Sequence, residues 1–334
     1  MSLSIQTQEA QIRQVQTLAF EGIGGNSWAS GDDSTIRADL ENLHKRLKAW
    51  AKKHAVEDMC ELKELAAEER DSLITLLARV VRPHSGAQNV IEALESAPLN
   101  KKPLAMCLQG LLSRHAYTNI INRPFFVLED AGETLHSVYH QIHQGKTLRT
   151  TGPKLPDTNV YKVNGNESHI WRSKTLRLLA ASPPNAQLEG GLSNYSATQK
   201  DVCSTFANDF YNGPAQYLIK PSSRKGGDVG SQCFNELEAI VQYAGELSYR
   251  LWSRRTTLRV LSLPDLKDQP FTARSEYLKA HPLHRLYEDD DRCDGWFVSV
   301  VAHPAVLGFG STDGKDYSTP RVWMKAEVWL TEDI

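Results

Sequence analysis

The densest run of side chains able to do chemistry lies between His281 and His303. It holds three histidines (His281, His284, His303), the carboxylates Glu288, Asp289, Asp290, Asp291 and Asp294, and the thiol of Cys293. Asp290, Asp291 and Asp294 stand in the order Asp-Asp-x-x-Asp. Carboxylates so spaced can grip hard divalent cations, and the cations can in turn bind diphosphate oxygens. With His284 nearby, these residues form the first candidate metal site. No other cofactor is suggested by this stretch, and none is expected.

The Asp-Asp-x-x-Asp pattern is similar to that by which prenyl-diphosphate enzymes and terpene synthases hold magnesium. Those families carry it at the end of a long helix. Here Gly295 follows at once and a β-rich run begins. Asn208-Asp209 is the best second motif, but Asn212 and Gln216 stand where Ser and Glu are expected. A calcium loop counted from Asp290 fails at Arg292 and Val301. The plainer reading is a charged turn ahead of a strand, its acids neutralised by Arg292 and by Arg250, Arg254 and Arg255.

Two further groups have suggestive spacing. His136, His140 and His143 fall at i, i+4 and i+7 on one side of a helix, where two imidazoles can reach one zinc ion. They lack a His-Glu-x-x-His sequence and adjoin an apolar face. Arg250, Arg254, Arg255 and Arg259 gather near the end of a helix. With Arg172, Lys174 and Arg177 they would make an anion-binding surface. Cations there also offset the helix macrodipole, the plainer reading. Gly308 to Gly314 looks like a phosphate loop but has no Walker lysine. There is no Gly-x-Ser-x-Gly elbow and no kinase signature.

Elements must position these groups. The longest helical period runs from Phe234 to Leu261 through Leu237, Ile240, Val241, Ala244, Leu247, Ser248, Leu251 and Leu258, and is expected to end before Pro264. Ser34 would cap a helix carrying Leu40, Leu43, Leu47 and Trp50 on one stripe. Helical stretches through Leu62 to Ala66 and Ser72 to Val81 would pack against it as antiparallel partners. Pro103 opens a helix apolar on most sides, through Leu104, Leu108, Leu111, Leu112 and Ile120, and hence buried. Asp130 and Glu133 have capping-box spacing ahead of Leu135, Val138, Tyr139 and Ile142. Shorter helices are expected over 170–180 and 198–210, with mobile loops at 182–197 and 221–230. Trp296 to Val301 and Val322 to Leu330 read as an antiparallel β pair with a long connection, needing helices or more strands for support.

The fold class is therefore mostly α, a helical domain with a smaller C-terminal antiparallel β element (α+β). Residues 1–33 form a flexible segment. Residues 34–334 form one domain: a helical half (34–143), a loop-rich part (144–231), and the central helix with its β ribbon (232–334).

The chain has 334 residues, 40% hydrophobic and 23% charged, with net charge −2. Non-specific binding to nucleic acid or anionic membrane needs a clear excess of Lys and Arg, so neither is expected. No apolar run approaches the roughly 18 residues of a membrane helix. Met1 to Gln8 contain no apolar signal core. Five widely spaced cysteines suit reduced thiols. A cytoplasmic or nuclear setting follows.

Trp171 to Leu179 and His281 to Trp296 resemble segments of uncharacterised proteins from filamentous fungi. The resemblance extends over most of the chain. It implies an intracellular eukaryotic setting and brings no activity with it. The leading functional expectation is a non-catalytic interaction or regulatory protein with a protein partner. The alternatives are a metal-dependent enzyme with its site in 281–303, and a nucleic-acid-binding module using the arginines.

Overall fold

A computed structural model describes residues 33–83, 89–96, 103–143, 165–181, 195–224, 228–287, 290–311 and 314–332. The N-terminal segment expected over 1–33 lies outside these, apart from Asp33.

The first helix, α1 (Asp33–His54), buries Ile36, Leu40, Leu43, Leu47 and Trp50 along the expected stripe. Asp33 sits in its first turn and Lys52 and Lys53 in its last, each opposing the macrodipole. Next come a short turn Cys60–Lys63, then α2 (Ala67–Leu77) and α3 (Val90–Ser96). The helix opened by Pro103, α4 (Pro103–Ala116), buries nearly every residue from Leu104 to Ser113. It continues into a π turn, Tyr117–Ile121. These are followed by α5 (Glu129–His143), α6 (Gly165–Ala181), α7 (Tyr195–Asn212) and α8 (Asp228–Trp252).

The main partners of α1 are α4, α8 and a strand, not the helices that follow it. The antiparallel pairing expected with 62–81 is replaced because α4 is apolar all round and draws neighbours on several sides. One side of α4 is covered by a strand. A Cβ on Gly110 would come within 2.6 Å of the Val301 carbonyl, so only glycine allows that approach.

The central helix α8 packs on α7 and α1. It stops at Trp252, not at Leu261 as its period predicts. Leu258 keeps the helical phase, but it lies on strand β1 (Thr257–Leu261). β-Branched Thr256 and Thr257 favour extended chain, and the last carbonyls of α8 are claimed by side chains of α6. The Asp130–Glu133 capping box does not form either. α5 begins at Glu129, whose φ is +49°, and the Glu133 carboxylate pairs with Arg123. Of the loops expected at 182–197 and 221–230, residues 195–197 open α7, Pro221–Arg224 is a helical turn and 228–230 begin α8. The remainder, 182–194 and 225–227, lies outside the described residues.

The β element is larger than a ribbon. Beyond β1 it contains β2 (Leu278–Ala280), β3 (Phe297–His303), β4 (Ala305–Phe309), β5 (Arg321–Met324) and β6 (Ala326–Thr331). They form two sheets, β1-β4-β5 and β2-β6-β3. The expected antiparallel pair is β3 with β6, Val298 opposite Leu330 and Val301 opposite Val328. Its connection supplies β4 and β5. β2 joins β6 in parallel, an arrangement the sequence did not suggest. The result is mostly α with a small C-terminal sheet region. Two cores coexist, a large helical one and a small one around Leu266, Val298, Val328 and Leu330. The five cysteines are free, only Cys60 being exposed. Among the described residues no helix is long and apolar enough to cross a membrane.

Candidate functional site

The groups singled out by spacing go to different neighbours. Asp290 is held by Arg292, with Nε 2.9 Å from each carboxylate oxygen. Asp294 accepts the Ala273 backbone N–H at 2.6 Å, and the exposed Asp291 offers its carbonyl to the Asp294 N–H at 2.8 Å. His284 turns the other way. Its Nε2 accepts the Leu330 N–H at 3.0 Å and its ring stacks on Trp329. Burial pushes His284 down to about 4, with His281 adding to the effect. Glu288 and Asp289 lie outside the described residues.

The arginines are dispersed too. Arg250, in the last turn of α8, pairs with Asp39 at 3.2 Å, and Arg259, on β1, pairs with Asp265 at 3.3 Å. Arg254 and Arg255 occupy the turn between helix and strand. The acids at 290–294 are thus matched locally by Arg292, not by Arg250, Arg254 and Arg255. On α5 the Nε2 atoms of His136 and His140 are 3.0 Å apart. Burial, then His140, pushes His136 down to about 4. The His143 side chain is outside the described set. Among the described residues, no three His, Cys, Asp or Glu side chains gather as a metal ion requires.

Two polar clusters are assembled instead. In the first, α6 grips the end of α8. Arg172, fully buried, donates to the carbonyls of Trp252 (3.2 Å), Arg254 (2.5 Å) and Thr256 (2.9 Å) and to the Tyr139 hydroxyl (3.1 Å). Ser173 and Arg177 both donate to the Ser253 carbonyl. A helix leaves its last four carbonyls unpaired and its C-terminus partly negative, so a buried guanidinium fits there without a carboxylate. The Trp252 ring lies 4.8 Å from the guanidinium carbon. Arg172 and Arg177 are therefore spent inside the fold.

The second cluster surrounds Glu327. Along β6, Ala326, Val328 and Leu330 face the small core, so alternation turns Glu327 and Trp329 toward the helices. Glu327 is 5% exposed. Lys48 of α1 lies 2.8 Å from Oε1, and His44, one turn earlier, places Nε2 3.4 Å from Oε2. Gln109 of α4 donates to Oε1 at 3.4 Å. His281, just beyond β2, brings Nε2 to 3.5 Å from Oε1. His303 of β3 stands opposite Glu327 in the ladder. Burial works to raise the Glu327 pKa. Hydrogen bonds from His44 and Lys48, with their charge, outweigh it and hold the carboxyl well below the usual range.

His281 is pushed down to about 4 by burial, against the pull of Glu327. It is neutral at pH 7. Its Nδ1 accepts the Leu283 N–H at 3.3 Å, so its own proton sits on Nε2, facing Glu327. His303 is driven well below its ordinary value, by burial first and His44 next. Its ring lies edge-on to His44 at 4.5 Å and to Tyr117 at 5.0 Å. Both His303 nitrogens, His44 Nδ1, the Tyr117 hydroxyl and the indole nitrogens of Trp323 and Trp329 are buried without a hydrogen-bond partner.

The cluster forms the floor of a cleft of about 670 Å³ between α1 and the strands. Arg37, Lys45 and Lys48 line it from α1, Lys279 from β2, and Lys325 from the β5–β6 junction. Glu41 and Glu327 are its carboxylates, and Trp323, Met324 and Pro282 give it an apolar wall. Glu41 pairs with Lys45 at 3.8 Å. Among the described residues Arg37 and Lys279 have no carboxylate partner.

No protein-family model, curated protein or solved structure matches this chain.

The sequence named His281 and His303 but not Glu327, and it placed Lys48 only among the cations on the polar face of its helix, a solvated face in the plainer reading and a partner-binding strip in the other. A signal was present: Glu327 is a lone charge inside an apolar strand, sharing a face with Trp329. His44 and Lys48, four apart, flank the Leu40–Leu43–Leu47 stripe.

Proposed function

We propose that the protein is a non-catalytic binding or regulatory protein whose cleft above Glu327 takes a negatively charged ligand. The observation that carries this is the charge in the cleft. Five cations line it against two carboxylates, an excess of three positive charges. Each carboxylate already has a lysine, Lys45 on Glu41 and Lys48 on Glu327. Arg37, Lys279 and Lys325 remain to meet a ligand, although Lys325 also donates to the Ser275 carbonyl at 2.7 Å. Low-dielectric walls strengthen the attraction of such a recess for anions.

Binding has more support than acid–base chemistry. The histidine nitrogens not engaged with Glu327 or the backbone, His44 Nδ1 and both of His303, are shielded from solvent. A base must reach the proton it removes. Metal-dependent chemistry in 281–303 has less support, because Asp290, Asp294 and His284 serve separate neighbours. A nucleic-acid role for Arg250, Arg254, Arg255 and Arg259 suffers from the same dispersal.

The test reverses two exposed charges, Lys279→Glu with Lys325→Glu. Pyrophosphate, citrate and a poly-glutamate peptide are titrated at low ionic strength. At least one should bind wild type saturably and lose about tenfold or more in affinity, roughly 1.4 kcal/mol, in the variant. If none binds, or the variant binds as well, the reading fails.

A further inference from the structure

Resting on that reading, we propose that the ligand of the cleft is a small soluble molecule bearing a multiply charged phosphate or diphosphate group, held by the lysines above Glu327. Charge gives the first argument. A carboxylate would leave most of the excess of three positive charges unanswered. A phosphate monoester brings about −1.5 to −2 at pH 7, and a diphosphate brings more.

Donor geometry gives the second. Four of the five cations are lysines. A planar carboxylate is matched best by the planar fork of arginine, whereas ammonium groups act as point charges that can approach a tetrahedral oxyanion from several sides. Here they come from α1, β2 and the β5–β6 junction, so they surround a volume and do not form a flat stripe. That volume, about 670 Å³, suits a small organic molecule.

The wall gives the third. Trp323, Met324 and Pro282 line the cleft and leave apolar surface for the organic part of such a molecule.

Isothermal titration on the full chain tests this with three probes: pyrophosphate, citrate, and phosphatidylcholine vesicles containing phosphatidic acid. Wild type is compared with the double variant Lys279→Gln and Lys325→Gln, and with Lys200→Gln, whose position does not line the cleft. Pyrophosphate should bind wild type and Lys200→Gln alike, about tenfold or more tighter than citrate, and weaken by about tenfold or more in the double variant. Citrate binding as tightly as pyrophosphate overturns the phosphate proposal and leaves the anion-binding cleft standing. Binding to vesicles alone overturns the soluble ligand. An equal loss in Lys200→Gln marks diffuse charge attraction and overturns the site. No binding of any probe overturns the phosphate proposal, and the anion-binding cleft falls with it if poly-glutamate does not bind either.

Discussion

Arg172 and Glu327 are both ions taken out of water, and they are handled in opposite ways. Arg172 is 0% exposed and spends its donors on three main-chain carbonyls and one hydroxyl that the fold already fixes. Four of its five N–H donors are used, and each guanidinium nitrogen has a partner. Glu327 is held by side chains from separate elements, beneath a cleft, among buried nitrogens that lack partners. Burial of a charge is therefore no sign of function by itself. What separates a structural pin from a candidate site is unspent polar capacity next to space for a ligand.

Three changes probe that contrast. The largest effect is expected from Arg172→Met. It strands the carbonyls of Trp252, Arg254 and Thr256, each unmatched acceptor costing about 1–3 kcal/mol, so a total loss of roughly 3–5 kcal/mol should appear in urea unfolding. Pyrophosphate affinity should stay within about twofold of wild type. A loss under about 1 kcal/mol would mean that the end of α8 is secured without Arg172.

Glu327→Gln comes second, at roughly 2–3 kcal/mol near pH 7, because Lys48 loses its counter-charge and the hydrogen bonds to the carboxylate weaken. The pH dependence has a definite sign. The Glu327 pKa is lower folded than unfolded, so its contribution is complete above the ordinary carboxylate value of about 4.3 and is lost as pH falls through and below it. The gap between wild type and variant should narrow steadily below about pH 4.5. A constant gap down to pH 3 would show that folding does not shift the Glu327 pKa, so that Lys48 and His44 do not favour its ionised form.

The smallest effect belongs to Asp290→Asn. Its partner Arg292 is two residues away and exposed, so the pair links no distant elements. The thermal midpoint should not move measurably. A clear drop would place this turn among the elements that hold the fold together.

Much of the architecture was legible because it rests on local periodicity. The stripes of α1, α4 and α8 and the pairing of β3 with β6 follow from apolar spacing alone. β1 was hidden because Leu258 stays in phase with Leu251, and a helical period does not reveal where α6 will seize the carbonyls. The same error placed Arg254, Arg255 and Arg259 on one helix. The site was barely legible. Lys48 and Glu327 are 279 residues apart, and neither belongs to a recognisable motif. His281 and His303 stood out among their acidic neighbours, yet their partner lay on another strand. Asp290 and Asp294 stood out equally and proved to serve turns.

β6 lies between β2 and β3, although it follows both in the chain. That order matters while the protein is being made. When β2 and β3 are synthesised, the strand that joins them has not yet been translated. α1 must likewise wait for the 279 residues that separate Lys48 from Glu327. At about 5–20 residues per second this is roughly 15–60 s. During that interval His44 and Lys48 have no carboxylate, and over its last part, about 2–9 s, the facing edges of β2 and β3 have no neighbour. The nascent chain passes through a stage in which its helices can already pack while its sheet edges stay open. Unpaired edges of this kind are what chaperones cover and what aggregation exploits. A chain cut between His303 and Ala326 would hold the protein in that state.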